Sequence, residues 1–167
     1  MQLFVLRHRI AEARAPHGTD ELRPLSSRGV KATRAAARGL GRFLKSRPDV
    51  ILTSPRLRAV QTANILGKVL DLRPKIAPEL GTASPARILR RLADHTRQTV
   101  LIVGHEPTLS QLITLLCAGD VASPILHLKK GGCACLDLDP AGGTLSPRCG
   151  TLRWVATPRL LRAVGRN

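Results

Sequence analysis

The chain has 167 residues, 43% hydrophobic and 23% charged. That is enough apolar side chain for one folded core, and the mixture is wrong for wholesale disorder. Lys and Arg number 27 against 11 Asp and Glu, a formal net charge of +16. No apolar run approaches the roughly 18 to 20 residues that span a bilayer, and Leu3 to Leu6 is too short for a secretory signal core; a soluble, cytoplasmic protein with one domain over 1–167 and no membrane partner is expected.

Leu3-Phe4-Val5-Leu6 opens the chain as a buried strand. After a polar loop, Ser26 or Ser27 caps a helix expected to run through Lys45. Its face of Val30, Thr33, Ala37, Leu40 and Leu44 steps by three and four, and Pro48 stops it. Val50-Ile51-Leu52 is the second strand. Thr53-Ser54-Pro55 then starts a helix, with Pro in its first turn, that reaches about Leu70. A short edge strand is expected within Lys75 to Leu80, and Ser84-Pro85 opens a helix to about Asp94.

Val100-Leu101-Ile102-Val103 is the clearest buried strand. Gly104-His105-Glu106-Pro107 ends it, before a helix whose Leu109, Leu112, Ile113 and Leu116 share one face. His127 to Asp139 and Thr151 to Ala156 read as two hairpin strands at the sheet edge, and Thr157-Pro158 starts a C-terminal helix. Strands alternating with helices predict an α/β domain, a three-layer α/β/α sandwich whose sheet is mostly parallel with an antiparallel edge.

The positive charge invites a nucleic-acid reading, since Lys and Arg neutralise phosphates. Against it, the cations are spread along the chain, and aromatics are only 2%, with no Tyr, so a stacking platform for single strands is lacking. No specific nucleic-acid partner is expected. Cys117, Cys133, Cys135 and Cys149 form no C-x-x-C pair or zinc spacing and read as free thiols in a reducing compartment.

In open α/β sheets, ligands bind beyond the carboxyl ends of the strands. Here those ends carry Arg7-His8-Arg9, Ser54-Pro55-Arg56-Leu57-Arg58 and Gly104-His105. Two histidines and several arginines on one rim suit a phosphoryl group, because the guanidinium fork matches phosphate geometry. A histidine among arginines keeps a lowered pKa and a nucleophilic neutral nitrogen. No Asp/Glu set stands at these ends to hold Mg²⁺, so neither metal nor cofactor is expected.

Four ordered motifs now carry a resemblance. They are Arg7-His8, Arg23-Pro24-Leu25-Ser26 with Gly29, Ser54-Pro55-x-x-Arg58-Ala59-x-Gln61-Thr62-Ala63, and Gly104-His105-Glu106-Pro107. Together they resemble the histidine phosphatase (phosphoglycerate mutase-like) superfamily, and within it the small phosphohistidine phosphatases of the SixA type. The resemblance spans essentially the whole chain, including Leu128-Lys129-Lys130-Gly131-Gly132. It implies a phosphoglycerate mutase-like fold and His8 as a transiently phosphorylated nucleophile. Arg7, Arg58 and His105 would hold phosphoryl oxygens, and Arg23 would meet the substrate. Ser54, Gln61 and Thr62 would shape the start of the helix.

Arg9 stands where the family has glycine, which permits backbone geometries that a side chain resists. It could strain or crowd the nucleophile, or add a phosphate contact as a substrate-binding residue. Glu79 and Glu106 are candidate general acids, with Glu12 a third; imidazole leaves more readily than an alkoxide, so a missing acid favours a P–N substrate. The expected activity is hydrolysis of protein phosphohistidine, with a phosphohistidine-bearing protein or a small phosphorylated molecule as partner. The rivals are a broader phosphomonoester phosphatase and a weakened, basic polyanion- or phosphate-binding descendant.

Overall fold

Six strands form one sheet in the order β3-β2-β4-β1-β5-β6 in the computed structural model, which describes all residues except His17, Lys45, Thr82, Ala83, Thr96, Arg97, Gly143 and Asn167. In chain order the elements are β1 (Gln2–Arg7), α1 (Ser27–Phe43), β2 (Val50–Thr53), α2 (Leu57–Leu70), β3 (Lys75–Ile76), α3 (Pro85–Ala93), β4 (Thr99–Gly104), α4 (Thr108–Ala118), β5 (Cys133–Leu138), β6 (Gly150–Ala156) and α5 (Pro158–Val164). The first four strands of the order are parallel; β5 runs antiparallel to β1, and β6 antiparallel to β5. This is the expected α/β sandwich with its antiparallel edge.

The central strands are apolar on both sides because both faces are covered. Leu3, Val5, Leu52 and Ile102 pack with Ile88 and Leu92 of α3 and Leu112 of α4. Their neighbours in sequence, Phe4, Leu6, Ile51 and Leu101, point the other way, onto Leu40 of α1, Leu66 of α2 and Leu161 of α5. The alternation of a strand thus feeds two cores. Cys133 and Cys135 are buried together in the second, as small apolar side chains. No described helix is long and apolar enough to cross a membrane.

Caps fall where expected at three helices: the side chains of Ser26, Ser84 and Thr157 accept from Gly29 N, Arg87 N and Leu160 N. Several boundaries differ. Lys45, the expected end of α1, lies outside the described residues, and Phe43 is the last helical residue. Val30 and Leu44 are only half-buried, while Gly29, Ala36 and Gly39 share the buried face. Pro55 precedes α2 instead of lying in it, because Ser54 Oγ accepts from Arg56 N and turns the chain there. The edge strand stops at Ile76, and Pro78–Gly81 forms a 3-10 turn. Residues 127–132 form no strand: Gly132 N donates to Lys129 O across a turn that needs Gly131 at φ 81.

Candidate active site

Strands β1 and β4 are parallel neighbours, with Arg7 opposite Gly104. The residues that follow, His8 and His105, therefore leave the sheet side by side. His8 N still donates to Gly104 O at 3.1 Å, and the imidazole centroids lie 4.8 Å apart. Ser54, just past the end of β2, is tied to the same rim by Ser54 N donating to Val103 O at 3.0 Å. Its hydroxyl stands 2.7 Å from His105 Nε2. Topology alone thus gathers residues 8, 54 and 105 at one level.

Ser54 lies buried behind His105, and His8 and His105 line a pocket of about 240 Å³ together with Arg7, Arg23, Arg56, Arg58 and Lys130. Glu106 is the one carboxylate of its lining. His8 Nδ1 lies 2.6 Å from Arg9 O. A carbonyl oxygen only accepts, so Nδ1 carries the proton and Nε2 keeps its lone pair. Burial is the main cause that lowers the His8 pKa to about 4; Arg58, Arg7 and Lys130 push the same way, against the Arg9 carbonyl. His105 is lowered to about 3, again mainly by burial, with His8, Arg58 and Arg56 adding to it. Both rings are therefore neutral at pH 7.

Arg58, in the first turn of α2, is 3% exposed. Its Nη1 donates to Asp20 O at 2.7 Å and its Nη2 to Asp20 Oδ2 at 2.9 Å. Asp20 Oδ1 also lies 2.8 Å from Arg23 Nε. One exposed carboxylate thus gathers Arg58 and Arg23, and the hydrogen bond from Arg58 is the main cause holding its pKa below the usual carboxylate range. Arg7 Nη1 donates to Leu128 O at 2.8 Å. The Nε–H groups of Arg7 and Arg58 are buried with no partner, as is His105 Nδ1, which donates or accepts according to the direction of the bond between Nε2 and Ser54 Oγ. The sequence alone singles out neither Asp20 nor Lys130, and gives Arg56 only as one of the arginines at the strand ends. The one available signal was their position beside motif residues.

Among the candidate acids, Glu106 lines the pocket, but its oxygens accept from Ser110 Oγ at 2.6 Å and Leu128 N at 2.8 Å, binding α4 to the 128–132 turn. Glu79 sits on the 78–81 turn and Glu12 on the loop after His8; neither lines the pocket. Gln61 Oε1 accepts from Leu25 N at 2.6 Å, so it holds the Arg23 loop against α2. Thr62 Oγ1 donates to Arg58 O within that helix.

Arg9 departs from the expectation of strain. Its φ is negative, since Asp71 and Arg148 are the only described non-glycine residues at positive φ. Glycine's freedom is not needed there. Its side chain, 5% exposed, does not line the His8 pocket; it lies in the adjoining groove, where Nη1 donates to Lys130 O at 2.7 Å. Gly131 makes that possible: a Cβ there would stand 1.9 Å from Arg9 Cδ.

Residues 3–82 match the family model of the histidine phosphatase superfamily (branch 1). Over 137 residues the chain is 34% identical to an uncharacterised protein of Picosynechococcus sp., covering 79% of this chain and 82% of that protein. The chain belongs to the histidine phosphatase superfamily, and its activity class is that of a phosphatase of this type. Within the family it is similar to phosphohistidine phosphatase SixA of Escherichia coli (strain K12), at 29% identity over 164 residues, 95% of this chain and 94% of that one. A solved structure of the protein histidine phosphatase SixA with tungstate superposes with a TM-score of 0.78, at 30% identity, covering 96% of this chain and 99% of that chain.

Proposed function

We propose that the chain hydrolyses phosphohistidine on proteins through a covalent phosphohistidine at His8. The observation that carries this reading is the 2.6 Å contact between His8 Nδ1 and Arg9 O. It leaves Nε2 as a neutral nucleophile facing a ring of cations. In the first step the Nε2 lone pair attacks phosphorus and the substrate P–N bond breaks, the departing imidazole nitrogen taking a proton from solvent water. In the second, water attacks phospho-His8 and loses a proton to solvent as the N–P bond breaks, which releases orthophosphate and returns the lone pair to Nε2.

Arg7 and Arg58 hold the phosphoryl oxygens, and the charge spread over those oxygens in the transition state is what fixed cations stabilise most. His105 serves as a further donor through Nδ1 when the Ser54 hydroxyl gives its proton to Nε2. Arg23 meets the substrate on the outer side.

Two features support a protein-borne P–N substrate. Pockets that enclose a whole small ligand run to about 300–1,000 Å³, whereas this one is about 240 Å³. It fits a phosphoryl group and leaves the rest of the substrate outside. The carboxylate on its wall is committed to backbone and hydroxyl donors, which suits a leaving group that needs little protonation. SixA, the named relative, is itself a phosphohistidine phosphatase.

The test is side-by-side turnover of a phosphohistidine protein, an aryl phosphate and polyphosphate, each with and without EDTA, followed by rapid quench with labelled substrate. Acid-labile, base-stable label on His8, turnover that survives EDTA, and its loss in His8→Ala are expected. Full activity in His8→Ala removes the mechanism. Preference for the aryl phosphate moves the enzyme to the phosphomonoesters, and polyphosphate binding without release favours the polyanion-binding rival.

A further inference from the structure

Beside the His8 pocket runs a groove of about 580 Å³ whose charged side chains are all cationic: Arg7, Arg9, Arg28, Lys129, Lys130 and Arg162. None of the six forms an ion pair with a carboxylate among the described residues. Arg28 comes from α1, Arg162 from α5, Arg9 from the loop after β1, and the two lysines from the 128–132 turn. Four separate segments thus deliver like charges to one depression, an arrangement that repels itself unless an anion is present.

Arg9 is the sharpest case. Its guanidinium is buried, and Nε has no hydrogen-bond partner. Burying a charge is costly unless it is paired, and the groups nearest in charge, Arg162 and Arg28, are also positive. Arg7 and Lys130 line both the groove and the His8 pocket. The two depressions are therefore contiguous across a shared wall, so one molecule can reach both.

We infer that the groove is a second oxyanion subsite, which holds an anionic group of the same substrate molecule whose phosphoryl group enters the His8 pocket. The inference rests on the phosphatase reading above and narrows its substrate class to multiply anionic phosphorylated molecules. The shared chemistry is a carboxylate or phosphate oxygen set gripped by guanidinium forks. It comes either from an acidic residue flanking the phosphohistidine or from a second phosphate.

Three phosphohistidine peptides distinguish these sources: one flanked by Glu, one by Gln and one by phosphoserine. Wild type is expected to prefer the Glu peptide over the Gln peptide by about tenfold in kcat/KM, as loss of a few charge pairs commonly gives. A still larger preference for phosphoserine assigns the second anion as phosphate. In Arg28→Gln/Arg162→Gln the preference should fall close to one, and in wild type it should shrink as salt rises. Equal kcat/KM on all three peptides, or an unchanged ratio in the folded double variant, overturns the inference. A binding arm separates it from the catalytic reading: inorganic pyrophosphate should shift the amides of Ile10 and Ala32, which line only the groove, and the double variant should lose that shift. Pyrophosphate binding there without turnover of any peptide removes the phosphohistidine reading and leaves the subsite standing. Turnover of every peptide with no such shift does the reverse.

Discussion

Acidification is the most direct probe of His8, the proposed nucleophile. An imidazole of ordinary pKa, 6.5, is about nine-tenths protonated at pH 5.5. With its pKa lowered to about 4 by burial and the neighbouring cations, His8 stays almost wholly neutral there. That lowering disfavours the imidazolium by roughly 3 kcal/mol in the folded state. The unfolded chain binds the proton more readily, so stability is full above pH 6.5 and falls as pH drops toward 4. His105, with its ring 4.8 Å away and its own pKa near 3, follows the same sign. The two are coupled and titrate as a pair. Imidazole NMR of the phosphate-free protein reads both directly, with thermal unfolding across the same range. No His8 titration is expected between pH 7 and 5, and inorganic phosphate should raise the midpoint, since a nearby anion favours the cation. A His8 midpoint near 6.5 would refute the argument, because the ring would then be solvated and half-charged near neutrality.

Arg58→Lys keeps the charge but loses the fork, and should lower kcat on the order of a hundredfold with folding intact; steady-state kinetics and circular dichroism check this. Asp20→Asn removes the carboxylate that engages Arg58 and Arg23, so inorganic phosphate should inhibit the variant more tightly than wild type in a competition assay. Gly29→Ala places a Cβ about 2.1 Å from Ile10 O; forcing α1 off the loop that follows His8 should destabilise by roughly 1 to 3 kcal/mol, read as a lower Tm.

The parallel strands were legible because a strand buried on both faces is an unbroken apolar run, as Leu3–Leu6 and Val100–Val103 are. His8, Arg58 and His105 followed from them, since strand ends place the next residues on the rim. The turn at 129–132 was not legible. Its apolar neighbours mimic a strand, and only the backbone of Gly131 shows otherwise. Asp20 was hidden for a different reason: its contact with Arg58 joins the 3-10 turn at Asp20–Leu22 to the first turn of α2, 38 residues on, and no periodicity encodes that. Arg9 sits beside the nucleophile in sequence, yet its direction depends on a missing Cβ at residue 131, which a linear reading does not connect to residue 9.

Strand β4 lies between β2 and β1 in the sheet although it follows both in the chain. During synthesis, β1 and β2 leave the ribosome with a slot between them that nothing local fills. His8 gains the Gly104 carbonyl and its neighbouring imidazole only when that late strand threads in, about a hundred residues after His8 itself is made. A nascent chain ending near residue 95 carries the Arg-His motif and Arg58 but no assembled site. The rim that joins His8 to His105 is thus completed only when the middle of the sheet is, and the proposed phosphohydrolysis would report whether insertion of β4 has occurred.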